Sequence, residues 1–375
     1  MSIAEFKNFF SLIKFCVTSR TYSPLDGDRR ISVCFALVAI HLILFNCAIV
    51  AQLVETFNDN EVQVMNKLYM MIVFEGTSAL LLKNFGSIPF IKEFKDLLEW
   101  IQKIHTELEG NEIVQCILNE EIDKAMKYSK MFIWIYSILY IVSPLSAGLL
   151  FCFKRIYIIL LPGLDPNIYH NTYWITQAIT SVTTGTWTSI SNASVIVIGI
   201  YLVFYVRVLN RIVQCISHDQ DKLNYCPDLL VRALKKHLEI IRIFNIFNET
   251  LKFMSIIQLS MSTMIFLTIL SAIQIYRDDY VMYLIFVTVQ VELFLFCLFG
   301  EIIRSETENI FNNLYQTNWY DLTQKDRKTI LFMMMISYNS LGLKAARMYD
   351  VSLSAFVQIL KLAVSYSALM LTIIN

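Results

Sequence analysis

Long stretches of this chain are apolar without interruption, and between them apolar residues recur every three to four positions. The first pattern predicts membrane-crossing helices and the second amphipathic helices outside the bilayer. A spanning helix needs about 20 apolar residues, because each adds ~1.5 Å against a hydrocarbon core of ~30 Å. Ile31 to Val54 meets that need without a charge, between Arg29–Arg30 and Glu55. Five further windows cover Met65 to Leu82, Met131 to Phe153, Ile175 to Val206, Phe253 to Tyr276 and Tyr280 to Phe299, and a seventh covers Val351 to Ile374.

Lys and Arg set the orientation, since cytoplasmic loops retain positive charge. Residues 1–30, 83–130, 207–252 and 300–330 hold five, seven, eight and four of them, while the alternate loops hold one (Lys67), two (Lys154, Arg155) and one (Arg277). The expected protein is therefore all-α and polytopic, with seven transmembrane helices, a cytoplasmic N-terminus and an extracellular C-terminus. G-protein-coupled receptors run the other way. Their Asn-Pro-x-x-Tyr sequence is also missing from the last span, and Tyr276-Arg277-Asp278-Asp279-Tyr280 falls in an outer hairpin.

The inner loops are long and apolar. Phe90, Phe94, Leu97, Leu98, Ile101, Ile104 and Leu108 lie at helical spacing, as do Leu230, Leu234, Leu238, Ile241, Phe244, Phe247 and Leu251. Both sets predict helices that continue beyond the membrane and pack into a cytoplasmic helical anchor domain, serving either to join subunits or only to complete one chain. The chain then divides into a cytoplasmic N-terminal segment (1–30), helices 1 to 6 with their cytoplasmic extensions (31–330), and the cytoplasmic part of helix 7 with the terminal helix (331–375).

Composition strengthens the membrane reading: 56% of the 375 residues are apolar and 17% charged, against roughly half and a quarter in globular chains. With 31 basic and 31 acidic residues there is no electrostatic footprint for nucleic acid. Residues 1–30 are too charged, and the first apolar run too long, for a cleaved signal peptide, so Met1 is expected to be kept. The eight cysteines lack framework spacing and are expected as free thiols. Neither Asn248-Glu-Thr250, on the cytoplasmic side, nor Asn192-Ala-Ser194, inside a span, is expected to carry sugar.

Candidate chemistry is sparse. His41, Lys67, Glu75, Glu292 and Lys361 are the ionisable groups within the spans. Glu75 and Glu292 suit either an ion-coupled secondary transporter or carboxylates satisfied by neighbouring helices. No base and nucleophile are visible, so no enzyme is expected, and no cofactor. Cys215, His218, Asp221 and Cys226 match no zinc spacing, and no metal is expected. The outer half of the fourth span carries Thr180, Ser181, Thr183, Thr184, Thr186, Thr188, Ser189, Ser191, Asn192 and Ser194. Such residues either let helices pack closely or orient a small ligand in a cavity whose walls would include Met70, Val73, Phe74, Tyr280 and Tyr283. In the last span, Gln358, Leu362, Ser365, Leu369 and Thr372 form one stripe of mixed polarity. A stripe of that kind is either a packing face or a pore lining, the latter requiring several subunits around an axis, with Leu369 near the outer mouth gating by dewetting.

The segment from Leu331 to Leu371 resembles the C-terminal signature of insect odorant receptors. Met333, Met334, Met335, Leu341, Leu343, Ala345, Ser352, Leu353, Phe356, Ile359, Leu360, Lys361, Ser365 and Tyr366 carry the match, with Tyr315, Trp319 and Asp321 upstream. Ser340 and Asp350 depart from a common proline, Ala346 from glycine and Ser367 from a frequent aromatic. The motif covers about 60 residues, and size and inverted topology agree over the whole chain. A gustatory-type channel shares the architecture, but usually ends on a Thr-Tyr-x-x-x-x-Gln-like sequence.

The resemblance implies an odorant-gated, non-selective cation channel, a tetramer joined through the cytoplasmic anchor, with the seventh helix lining the pore. It also implies a ligand pocket in the outer leaflet among helices two, three, four and six. On this chain those helices offer Met70, Val73 and Phe74; Tyr140, Ser143, Ser146 and Leu150; Ile179, Thr180 and Thr183; and Tyr280, Tyr283 and Val287. The second cytoplasmic loop of 46 residues is shorter than the family co-receptor's. The chain is thus expected to be the odorant-binding subunit of a heterotetramer with that co-receptor, in the plasma membrane of olfactory sensory neurons. Expected contacts are membrane lipid, monovalent and divalent cations, and a small volatile ligand. Tyr69, Tyr140, Tyr280, Tyr283, Phe74 and Trp187 suit a flat aromatic such as a phenol or indole.

Overall fold

The computed structural model describes residues 3–21, 29–58, 64–106, 110–153, 168–218, 228–346 and 348–374. Ten α-helices lie among them: α1 (Ile3–Thr21), α2 (Arg29–Asn58), α3 (Val64–Phe85), α4 (Ile91–Thr106), α5 (Glu112–Phe153), α6 (His170–His218), α7 (Asp228–Ile275), α8 (Tyr280–Tyr315), α9 (Gln324–Ser337) and α10 (Leu353–Ile374). One short hairpin, β1 (Lys344–Ala345) with β2 (Tyr349–Asp350), precedes α10. The fold is all-α and polytopic. Helices α2, α6, α7 and α8 each contain a segment long and apolar enough to cross a bilayer, while α3, α5 and α10 occupy the remaining three apolar windows.

Helix length explains the cytoplasmic layer. At ~1.5 Å per residue, the 49 residues of α6 reach about 73 Å, more than twice the hydrocarbon thickness. Helices α5, α7 and α8, of 42, 48 and 36 residues, overrun it too. Around these extensions α4 packs Phe94, Leu97, Leu98, Trp100, Ile101 and Ile104 inward. On α7 the core positions are Leu230, Ile240, Ile243, Phe244, Phe247 and Leu251, whereas Leu238 is 46% exposed. Leu108 lies outside the described residues. Residues 3–21 form a helix whose stripe of Phe6, Phe9, Ile13, Cys16 and Val17 is buried.

Local capping fixes several ends. Asn111 accepts from the Ile113 and Val114 amides (3.0 and 3.3 Å) ahead of α5. The Thr323 hydroxyl oxygen accepts from the Asp326 amide (3.3 Å) ahead of α9, satisfying amides that a helix start leaves open. At the outer α7–α8 turn, buried Asp279 accepts from the Val281 amide (3.1 Å) and from the Tyr69 hydroxyl, tying the turn to α3.

Two expectations follow. In the cytoplasmic layer, His105 stacks on Phe6 (3.8 Å) and meets the Tyr201 hydroxyl (3.1 Å), and His237 meets Ser337 Oγ (3.2 Å). Burial pushes both imidazoles down to about 4, from an ordinary 6.5. As pH falls the unfolded chain takes up these protons first, so their stabilisation is whole above pH 6.5 and disappears between there and about 4. Melting temperature of the purified protein should fall through that window and less so in His237→Gln; a flat profile contradicts this. Separately, Ala346 holds the β1–β2 turn at a φ of 50°, a left-handed conformation costing an L-residue roughly 1–2 kcal/mol. Ala346→Gly should raise the melting temperature, and an unchanged or lower value counts against strain there.

Candidate functional site

The terminal helix has two unlike faces. Ala355, Ile359, Ala363 and Ser367, four residues apart, are buried. The small side chains of Ala355, Ala363 and Ser367 let α10 lie close to α7 and α8, and the Gln274 amide of α7 donates to Ser367 Oγ. Phe356 meets Phe294 of α8 edge to face (5.5 Å). Gly300 of α8 sits so near the Val351 carbonyl that a Cβ has no room. Most of the rest of the helix is open, and Gln358, Leu362, Ser365 and Leu369 form one exposed stripe on it, with each leucine 54% exposed. Gln358 Oε1 accepts from the Tyr349 hydroxyl (2.6 Å). The side chain of Thr372 lies outside the described residues.

The residues expected around a ligand are distributed over several environments. Met70 is buried in a small cluster with Tyr69, Ile265, Ile269, Val281 and Met282, and Val73 and Phe74 pack at its edge. Tyr140 is buried and stacked on Tyr136 (5.6 Å). On α6, Thr180 is buried, Thr183 half-buried and Ile179 58% exposed. The hydroxyls of Thr180, Ser181, Thr183 and Thr188 each donate to the carbonyl four residues earlier, at 2.8–2.9 Å, so their bonding capacity is used on their own helix. Tyr280, Tyr283 and Val287 lie on the exposed side of α8, at 83%, 42% and 54%, opposite the inward Val281, Met282 and Leu293. The side chains of Ser143, Ser146 and Leu150 lie outside the described residues, as do Asp221 and Cys226.

A buried polar seam joins the spans. Lys83 of α3 and Glu292 of α8 form an ion pair (3.2 Å) with side chains only 8% and 16% exposed. Asn192 of α6 donates to the same carboxylate oxygen (3.1 Å), and the buried Tyr140 hydroxyl lies within its electrostatic reach. Ser191 donates to Asn84 (2.7 Å). Next to it the fully buried Arg20 donates to Ser87 Oγ (3.0 Å), to the Ser191 carbonyl and to Ser194 Oγ (3.4 Å), and its guanidinium also touches Met254 Sδ (2.8 Å). Glu75 accepts from Thr268 Oγ1 of α7 (3.2 Å). Glu292 and Glu75 stand out in sequence as charges within apolar windows. Lys83 and Arg20 do not, because each sits at a segment end where solvent is the ordinary surrounding.

This arrangement, a helical membrane domain whose buried charges are spent on holding helices together, defines a polytopic membrane protein. The whole chain shares the fold of the insect olfactory receptor OR5 from Machilis hrabei, at a TM-score of 0.81 and 14% identity over 99% of each chain. For the same receptor in complex with eugenol the TM-score is 0.77 over 98% of each. Residues 60–364 match the family model for the 7tm odorant receptor, and the chain belongs to that family, a family of receptors and not of enzymes. Relatives include the odorant receptor coreceptor of Aedes aegypti, 24% identical over 40% of this chain and 34% of that one. Odorant receptor 33a of Drosophila melanogaster is 22% identical over 45% of this chain and 46% of that one. The chain thus spans about a third of the length of the co-receptors it matches and just under half of receptor 33a.

Removing one member of a buried ion pair strands the other, at a cost of about 3–5 kcal/mol, whereas replacing both by apolar groups is often neutral. Glu292→Gln is therefore expected to lower the melting temperature of the purified protein markedly, and Lys83→Met with Glu292→Leu to restore most of it. Equal melting of both variants and the parent would show that the pair carries no stability.

Proposed function

We propose that this chain is the odorant-binding subunit of a heteromeric, odorant-gated, non-selective cation channel. The observation that carries the reading is the two-faced terminal helix. Ala355, Ala363 and Ser367 are buried on the side packed against α7 and α8, while Gln358, Leu362, Ser365 and Leu369 are exposed along one stripe. Mixed polar and apolar residues on an exposed stripe suit a conduit assembled from several chains, with the Leu369 ring closing it by dewetting and Thr372 beyond as a polar step.

The partner is an odorant co-receptor in a heterotetramer. In support, Leu331, Phe332 and Met335 of α9 and Tyr338 just after it are 43%, 44%, 69% and 75% exposed on the cytoplasmic layer, an apolar surface of the kind that marks protein contacts. A small volatile ligand binds in the outer half of the membrane domain near Met70, Val73, Phe74, Tyr140, Thr180, Thr183 and Tyr283. The eugenol complex of a receptor sharing the fold supports an aromatic one. Binding opens the channel by as much as the ligand prefers the open state over the closed. Monovalent and divalent cations pass, and the setting is the plasma membrane of olfactory sensory neurons.

Whole-cell recording from cells expressing the chain with a co-receptor tests this. Small aromatics are expected to evoke cation current, and Leu369→Ala to raise the odorant-free current several-fold, on the order of one to two kcal/mol of gate closure. If no ligand in a broad panel evokes current, or if Leu369→Ala leaves permeation and gating untouched, the reading fails.

A further inference from the structure

Helices α6 and α8 run side by side from the membrane into the cytoplasmic layer, and one face of each follows the same spacing. On α6 the positions are Ile196, Ile200, Val203, Arg207, Asn210 and Gln214, and on α8 they are Leu295, Phe299, Ile302, Glu306, Asn309 and Asn313. Each series advances by 4, 7, 11, 14 and 18 residues from its first member, so each is a single helical stripe. Each is apolar for three positions, charged at the fourth and amide-bearing for the last two. Between the stripes lie two cavities that meet at Arg207. The upper, about 250 Å³, is walled by the apolar residues and closed by Tyr128 and Phe132 of α5. The lower, about 330 Å³, is walled by the polar residues with Arg211 and with Glu121 of α5. At the floor, Gly199 sits so close to the Phe299 ring that a Cβ would collide with it.

Depth and charge together identify what such a furrow takes. Arg207 is the first basic residue after the fourth span, which puts the change from apolar to polar at the inner membrane surface. By helical rise the apolar part, Ile196 to Arg207, is about 16 Å long, half of a hydrocarbon core. The polar part is lined by two guanidiniums and two carboxylates already set against each other, Arg207 on Glu306 (2.6 Å) and Arg211 on Glu121 (2.8 Å), and at its edge Glu120 pairs with Arg211 (2.8 Å) and Lys124 with Glu120 and Glu121 (2.7 and 2.9 Å), so both signs balance there. A headgroup carrying both signs meets partners of both signs there, phosphate on the guanidiniums and ammonium on the carboxylates. A headgroup with negative charge alone brings its excess against Glu306 and Glu121.

We propose that the α6–α8 furrow binds an inner-leaflet zwitterionic phospholipid of the phosphatidylethanolamine type, one acyl chain along Ile196 to Val203 and the headgroup in the polar cavity below Arg207. The site is separate from the ligand and pore surfaces described above and does not depend on them.

The test reconstitutes the full chain in nanodiscs of equal phosphatidylethanolamine and phosphatidylglycerol, doped with phosphatidylethanolamine bearing a diazirine on one acyl chain, and maps photolabelled peptides by mass spectrometry. Label is expected to concentrate on peptides spanning 196–207 and 295–302. Ile302→Trp, at the partly open mouth, and Leu298→Trp, from inside the cleft, are each expected to lower it there by about five-fold or more. A phosphatidylglycerol probe with the same acyl diazirine is expected to label the furrow several-fold less. Label spread evenly over the exposed apolar face of α2, or unmoved by both tryptophan variants, overturns the site. Equal labelling by phosphatidylglycerol overturns the headgroup assignment, and furrow cross-links to a second protein chain in place of lipid overturn the lipid altogether.

Discussion

A polar atom within the hydrocarbon has no water to turn to, and the arrangement of this membrane domain depends on that constraint. Backbone groups are satisfied by helices. The buried charges are satisfied by the seam in which Lys83, Glu292 and Asn192 bind α3, α8 and α6, and Ser191 holds Asn84. Arg20 extends it to α1 and α7. The apolar surfaces around the seam are interchangeable with lipid and discriminate poorly between neighbours. The paired charges discriminate strongly, since any other packing would leave them stranded, so the seam sets which helices adjoin which.

The second organising feature is continuity. Helices α5 to α8 pass from the spans into the cytoplasmic layer with no intervening loop, so the same rods form both regions. Their exteriors change character along the way, from lipid-facing to a surface held by Arg207 with Glu306 and by Arg211 with Glu120 and Glu121. The same four rods thus connect the two regions without a break.

Much of this was legible in the sequence, and the rest resisted for identifiable reasons. Spans, loop charge and the stripe of α4 are one-dimensional properties of length, sign and period, and they read directly. The stripe of α7 read less well: Leu238 fits a three- and four-residue pattern yet faces out, because over about six turns Ile240 and Ile243 take the inward positions. Lys83 counts as an ordinary loop charge until its partner, 209 residues away, is brought beside it. Arg20 is less visible still, since its partners are serine oxygens and a thioether with no sequence signal of their own. The hydroxyl residues of α6 announce their type, but that four of them bond back to their own helix is a property of backbone geometry. The stripe on α10 was legible as a pattern, and which side of it lies open required the neighbouring helices.

The β1–β2 hairpin starts the terminal helix from a fixed post. Its strands pair Lys344 with Asp350 and Ala345 with Tyr349, and the Ala346 amide is bonded to the Lys252 carbonyl of α7 (3.2 Å). Each residue of an α-helix turns the next by about 100°. A single insertion or deletion between Asp350 and Leu353 therefore rotates the whole of α10 by that angle and takes Ala355, Ile359, Ala363 and Ser367 out of their packed positions. Length in that short joint, more than any one side chain, is what selection has to guard.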